Sequence, residues 1–131
     1  MWLYTQKKLE QEKITSFIHC GAQKEDYYNH FALAHGFFLT SRFDSFPLVM
    51  TEAAAFGLPI AAIDSGGVKE FVTDGCGSVV RGHDVDALAE AMKEIMDNPK
   101  RYDAEKLKQR AADFDAAKMS TEWMDLMDQI I

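Results

Sequence analysis

The sequence predicts an α/β protein in which a parallel sheet lies between layers of helices. Short apolar runs alternate with stretches of helical periodicity, which is the pattern of βαβ units. The runs are apolar along nearly their whole length, as strands covered on both faces are. The chain has 131 residues, of which 47% are hydrophobic, so residues 1–131 have the size and composition of one domain.

Glycine, proline and capping residues divide the chain into elements. His19 and Cys20 close the first apolar run, and Gly36 opens the second. Asp84 suits the N-cap of a helix whose stripe is Leu88, Met92, Ile95 and Met96. The predicted elements, in order, are a strand at 14–20, a helix at 23–35, strands at 36–41, 59–64 and 77–80, helices at 47–56 and after Gly66-Gly67, and helix from 85 to the end, broken at 98–99 and near 115.

Composition excludes several classes of function. The formal net charge of -7 argues against a general nucleic-acid surface. The longest apolar runs fall short of the ~18 residues that span a bilayer. Cys20 and Cys76 make no metal or redox spacing, so we expect a reduced, cytoplasmic setting. The four histidines have no metal-ligand spacing either, and no metal or cofactor is expected.

The stretch DSFPLVMTEAAAFGLP, residues 44–59, predicts a short helix at the end of a strand. Pro47 suits the first helical position, where its missing N–H costs nothing. Gly57 suits the residue just past the helix, and Pro59 prevents its continuation. The N–H groups of Leu48, Val49 and Met50 are expected to lack intrahelical partners. Phosphate or sugar oxygens are suitable acceptors for such groups.

Glu52 is a carboxylate in the middle of this apolar helix. Burying it is costly unless a partner meets it. Periodicity leaves two interpretations open: Thr51 and Glu52 form a narrow solvated stripe, or Glu52 faces a ligand. Asp44 alone carries little information, since aspartate before a helix is common.

The stretch TSRFDSFPLVMTEAAAFGLPIAAIDSGGVKEFVTDG resembles the signature segment of retaining GT-B-fold glycosyltransferases of family 4. Asp44 and Glu52 match an acidic pair with seven residues between its members. Residues 57–59 match the following glycine-proline break, and residues 65–70 match the later GG turn. The resemblance covers residues 14–100 and implies a three-layer, Rossmann-like sheet, the C-terminal half of a GT-B fold that binds the nucleotide diphosphate sugar.

The resemblance also implies roles for single residues. Glu52 accepts hydrogen bonds from the ribose hydroxyls of a UDP- or GDP-sugar, and Asp44 contacts the hexose near the reacting carbon. The reaction retains anomeric configuration and uses no bound metal. The acceptor, a glycan or a lipid, is held by an N-terminal domain that this sequence lacks. The remaining residues assigned to the substrate site are Ser45, Phe46, Pro47, Leu48, Val49, Gly66 and Gly67.

The match departs from the family at several points. Asp44 stands where the family usually has a longer glutamate, and Ser45 stands where it usually has glycine. The glycine-arginine turn and the lysine that grip the diphosphate are missing, which leaves Arg42 and Lys69 as the basic residues near the site. We therefore expect a fragment or a truncated relative that is inactive alone, from a parent protein in the cytoplasm or at the inner face of a membrane.

Other interpretations remain open. Unpaired sheet edges favour self-association, and the apolar face of Trp123, Leu126, Met127 and Ile130 is a packing surface. A non-catalytic α/β association module that keeps the glycosyltransferase fold is therefore the main alternative. A sugar-nucleotide epimerase of the same architecture is a third. The DVD at 84–86 is better explained by helix capping than by metal binding.

Overall fold

The computed structural model describes residues 24–130. The predicted strand at 14–20 therefore lies outside the described residues. In chain order the elements are α1 (Lys24–Leu33), β1 (Phe37–Leu39), α2 (Leu48–Ala55), β2 (Ile60–Ile63), α3 (Val68–Phe71), β3 (Gly77–Val80), α4 (Val85–Asp97), a 3-10 turn (Pro99–Arg101), α5 (Ala104–Ala112) and α6 (Ala116–Ile130).

The sheet of the described region has three parallel strands in the order β1-β2-β3. Phe38 of β1 lies opposite Ala61 of β2, which in turn lies opposite Ser78 of β3. Because parallel strands need a crossover between them, α2 connects β1 to β2 and the short α3 lies between β2 and β3. The predicted parallel α/β fold is confirmed.

Helices cover both faces of the sheet. All four residues of β2 are buried, and they alternate between two cores. Ile60 and Ala62 face a core shared with α2, α3 and α5, whose largest members include Met50, Phe71 and Leu107. Ala61 and Ile63 face Leu88 and Ile95 of α4. The predicted three-layer arrangement is therefore correct.

The C-terminal helices agree with the prediction in the cap of α4 and differ from it in the burial of Met96 and of α6. Asp84 caps α4 as expected, accepting the Ala87 N–H at 2.9 Å. Met96, however, is 68% exposed, so it does not belong to the buried stripe that includes Leu88 and Ile95. No residue of α6 is buried within the described part of the chain. Its predicted packing face, Trp123, Leu126, Met127 and Ile130, is exposed.

Candidate functional site

The loop after β1 and the turn after β2 meet at the C-terminal edge of the sheet. Asp44 and Gly66 form an isolated parallel bridge. The Asp44 N–H donates to the Ser65 carbonyl at 2.9 Å, and the Gly67 N–H donates to the Ser45 carbonyl at 2.8 Å. Open parallel sheets bind ligands at this edge. Two segments assigned to the site from sequence are thus in direct contact.

Glycine is required at both positions of this turn by close backbone approach. A Cβ at Gly66 would lie 2.3 Å from the Asp44 carbonyl oxygen, and Gly66 also has a φ of +120°. A Cβ at Gly67 would lie 2.5 Å from the Ser45 carbonyl oxygen. The Gly67 N–H is bound to the Ser45 carbonyl, so in this arrangement it is not free to donate to a phosphate.

Phe46 anchors the loop to the core beneath it. Its ring stacks on Phe114 with centroids 5.2 Å apart and meets Phe71 edge-on at 6.3 Å. Arg110 lies over the Phe114 and Phe71 rings, 4.7 and 5.6 Å from their centroids. Pro47, which follows Phe46, is buried. The position of the loop therefore depends on residues of α3 and on the segment after α5.

The N-terminus of α2 faces the same edge. Helix α2 begins at Leu48 and has Pro47 as its N-cap, one residue later than predicted, with no side-chain cap. The Met50 N–H donates to the Pro47 carbonyl at 3.0 Å, so the expectation that Met50 lacks a partner is wrong. Within residues 24–130, the Leu48 and Val49 N–H groups have no acceptor, and these two remain available to an anion.

Glu52 lies on the second turn of α2 and is half-buried. The Tyr27 hydroxyl of α1 donates to its Oε2 at 2.6 Å. Burial, followed by the hydrogen bond to the Glu52 carboxylate and by its negative charge, raises the Tyr27 pKa to about 12. Sequence reasoning missed this contact, which joins residues 25 positions apart.

An open groove of about 410 Å³ lies beside Glu52. Helix α2 contributes Thr51, Glu52 and Ala55 to it, and the opposite wall comes from α5, the start of α6 and the segment between them. Lys108 in that wall pairs with Glu105 at 2.7 Å. Among the described residues, no cation lies within ion-pair distance of Glu52. The carboxylate therefore retains capacity to accept hydrogen bonds from a ligand.

The two basic residues expected near the site differ in their surroundings. The Lys69 ammonium lies 3.6 Å from the Asp64 carboxylate, with the lysine side chain 65% exposed. Arg42 is exposed, and residues 24–130 provide it with no carboxylate partner. Over the same part of the chain, no group of three or more histidine, cysteine or acidic side chains is arranged to hold a metal ion. No helix of that region is long and apolar enough to cross a membrane.

The sequence profile of the family described as "Glycosyl transferases group 1" matches residues 3–114, which is most of the chain. The chain belongs to this family. The resemblance that the acidic pair and the GG turn predicted is thereby confirmed.

The glycosyltransferase domain is similar to several curated proteins over short segments. It is 48% identical over 54 residues to a GDP-mannose-dependent monoacylated alpha-(1-6)-phosphatidylinositol monomannoside mannosyltransferase of Corynebacterium glutamicum, covering 41% of this chain and 14% of that protein. It is 46% identical over 57 residues to a D-inositol 3-phosphate glycosyltransferase of Mycobacterium avium, covering 43% and 13%. The chain thus matches a small fraction of the length of these relatives.

A solved structure confirms the fold of the glycosyltransferase domain. Sucrose-phosphate synthase from Thermosynechococcus elongatus superposes with a TM-score of 0.77 and 22% sequence identity. The alignment covers 96% of this chain and 33% of that one. The predicted GT-B architecture is correct.

Proposed function

We propose that residues 1–131 form the donor-binding part of a retaining glycosyltransferase that moves a hexose from a nucleotide diphosphate sugar to a glycan or lipid acceptor. The observation that carries the proposal is the Asp44–Gly66 bridge. It joins the loop before α2 to the turn after β2 at the edge of the sheet where ligands of such folds bind. Membership of the group 1 family supports the same conclusion.

Each part of the edge has a chemical role in this proposal. The diphosphate accepts hydrogen bonds from the Leu48 and Val49 N–H groups at the positive end of α2. This end of the helix stabilises the negative charge that develops on the diphosphate when its bond to the hexose breaks. Glu52 accepts hydrogen bonds from the ribose. Asp44, half-buried at the mouth of the helix, contacts the hexose. The sugar lies between Glu52 and Asp44, in a site lined by Ser45, Phe46 and the Gly66-Gly67 turn.

A GDP-sugar is the donor to test first. Two of the similar proteins, from Corynebacterium glutamicum and Mycolicibacterium smegmatis, are named for GDP-mannose dependence. The acceptor site and the basic residues that grip the diphosphate are assigned to other parts of the enzyme. Transfer therefore requires more than this chain, and nucleotide binding is the property to measure on it.

The experiment is an NMR titration of the 131-residue chain with GDP, UDP and ADP at millimolar concentration. We expect amide shifts at residues 44–52 and 66–70. In a parallel titration with a GDP-sugar, Asp44→Asn should weaken binding of the nucleotide sugar more than it weakens binding of GDP, because the side chain meets the hexose. Asp86→Asn, on the exposed first turn of α4, is the matched control. An unchanged spectrum at those residues with all three nucleotides would contradict the proposal.

One observation favours the non-catalytic association module as a second candidate. Helix α6 exposes Trp123, Met124 and Met127, each more than half exposed, and large exposed apolar surfaces usually mark binding sites. Sedimentation of the chain separates the two candidates. A monomer that binds nucleotide supports the donor-binding function, whereas an oligomer that ignores nucleotide supports association.

A further inference from the structure

The Glu52 carboxylate is bound within the chain at one of its two oxygens. The Tyr27 hydroxyl donates to Oε2 at 2.6 Å, a length typical of a hydrogen bond to an ionised carboxylate. In the part of the chain that the structure describes, no second side chain or N–H donates to Glu52. A carboxylate has about four lone-pair sites. Oε1 is consequently the oxygen with its full capacity for a ligand.

Tyr27 is itself held in place by packing. Its ring meets Phe31 edge-on, with centroids 5.0 Å apart, and meets Tyr28 in the same way at 5.4 Å. Phe31 is only 7% exposed and lies in a cluster with Ala53 and Leu58. Helix α1 is thus packed on the helix that carries Glu52. The hydroxyl therefore occupies a position fixed by the core, not by a loop.

Ordering the Glu52 side chain before the ligand arrives reduces the entropic cost of binding. Glutamate loses considerable rotamer freedom when it is ordered. A partner within the protein that orders the carboxylate before the ligand arrives reduces this cost during binding. Tyr27 is suited to this because its hydroxyl occupies only one carboxylate oxygen.

We propose that Tyr27 is a positioning residue that fixes the Glu52 carboxylate so that Oε1 accepts a ribose hydroxyl of the donor nucleotide. Tyr27 thereby sets the preference of this site for ribonucleotides over their 2′-deoxy and 3′-deoxy counterparts. This inference rests on the proposed donor-binding function. It concerns selectivity for the ribose and is independent of the identity of the hexose or the acceptor.

The test compares Tyr27→Phe with Tyr28→Phe in the 131-residue chain. Phenylalanine keeps the ring packing of either tyrosine and removes only the hydroxyl. Tyr28 is the next residue on the same helix, is 40% exposed, and makes no hydrogen bond to Glu52. Dissociation constants are measured for GDP, 2′-deoxy-GDP and 3′-deoxy-GDP, with thermal unfolding of each variant recorded alongside.

We expect Tyr27→Phe to weaken GDP binding roughly five-fold. This loss is smaller than the full contribution of a hydrogen bond to a charged group, because Tyr27 acts on the ligand only through Glu52. Binding of at least one deoxynucleotide should change little, so the preference for ribose falls. Tyr28→Phe should leave all three constants unchanged. An equal loss for GDP and both deoxynucleotides would mean that Tyr27 only holds α1 against α2, and it would overturn the inference, as would no loss at all.

The outcome distinguishes this inference from the proposed function. If the unmodified chain prefers GDP to its deoxy forms and Tyr27→Phe keeps that preference, only the positioning role of Tyr27 fails. If the unmodified chain binds no nucleotide, the donor-binding function fails and this inference fails with it.

A ligand-free check uses the NMR signal of Tyr27 Cζ, the ring carbon that carries the hydroxyl. Glu52→Gln should shift that signal, and an unchanged signal would show that the hydrogen bond does not form.

Discussion

Asp44 and Gly66 lie side by side as a parallel backbone bridge at the C-terminal edge of the sheet. The bridge uses main-chain groups: the Asp44 N–H donates to the Ser65 carbonyl, and the Gly67 N–H donates to the Ser45 carbonyl. The loop that carries Asp44 is therefore held in place without its carboxylate. Substituting the Asp44 side chain should leave the loop where it is, whereas adding a side chain at Gly66 should move it.

Gly66→Ala should destabilise the chain and displace the loop. The new Cβ would lie 2.3 Å from the Asp44 carbonyl oxygen, and the residue would keep a φ of +120°. A steric clash added to left-handed backbone strain is expected to cost about 2–4 kcal/mol. Urea unfolding monitored by circular dichroism measures the loss, and amide shifts at residues 44–46 report the displacement.

Gly82→Ala is the matched control for this substitution. Gly82 also has a positive φ, of +68°, but a Cβ there would meet no atom of residues 24–130 within 4 Å. The strain alone is expected to cost about 1–2 kcal/mol. Equal losses at the two glycines would show that the contact with Asp44 contributes nothing.

Met50→Ala should be strongly destabilising because Met50 is fully buried between α2 and the sheet. Removing a buried methionine side chain leaves a cavity and costs about 2–5 kcal/mol. Met96→Ala removes the same atoms from a residue that is 68% exposed, and it should change the free energy of unfolding by less than about 0.5 kcal/mol. Chemical denaturation of both variants decides whether α2 packs as described.

Arg110→Met should destabilise the attachment of α5 to α3. The Arg110 guanidinium donates to the Phe71 carbonyl at 3.0 Å and to the Glu70 carbonyl, and it lies over two aromatic rings. Methionine keeps much of the apolar stem but donates no hydrogen bond, so a loss of about 1–3 kcal/mol is expected. Lys108→Met on the same helix removes an exposed pair with Glu105 and should cost less than about 0.5 kcal/mol. Thermal unfolding that ranks Lys108→Met as the more damaging change would contradict this account.

Tyr27 should make stability sensitive to pH in alkaline solution. Its pKa is raised to about 12 in the folded chain, against about 10 when unfolded. Between these values the folded chain holds more protons than the unfolded chain, so the free energy of unfolding falls as pH rises from 10 to 12. This contribution is fully present below pH 10. Phenylalanine has no such proton, so the stability difference between the unmodified chain and Tyr27→Phe should shrink across this interval.

A pH titration of Tyr27 followed by NMR tests the cause of its raised pKa. Desolvation is the largest cause, and the Glu52 hydrogen bond and charge come next. Glu52→Gln removes the charge and should lower the Tyr27 pKa toward, but not fully to, its ordinary value. The NMR signal of the Tyr27 hydroxyl carbon measures this directly. A pKa of about 10 already present in the unmodified chain would contradict the contact with Glu52.

The helix around Glu52 shows how far sequence reasoning extended. Residues 47–56 were predicted as helical, and α2 covers Leu48–Ala55. Gly57 was predicted to end it, and it does so with a φ of +76° while the Leu58 N–H donates to the Ala53 carbonyl. For Glu52 the sequence leaves two interpretations open, a solvated stripe and a ligand site. Its position beside Tyr27 could not be predicted, because no local pattern specifies which residue 25 positions away will meet it.

The sequence by itself determined the parallel α/β fold, the order of the described elements, the caps at Asp84 and Gly57, and the spacing of Asp44 and Glu52 that is typical of the family. These features depend on periodicity and on groups within a few residues of one another. Only the tertiary structure decided that the Gly67 N–H donates to the Ser45 carbonyl and that the Tyr27 hydroxyl donates to Glu52. It also decided that Met96 and the apolar face of α6 are exposed. The reason is that hydrogen-bond partners and burial depend on which distant segments the packing of the sheet brings together.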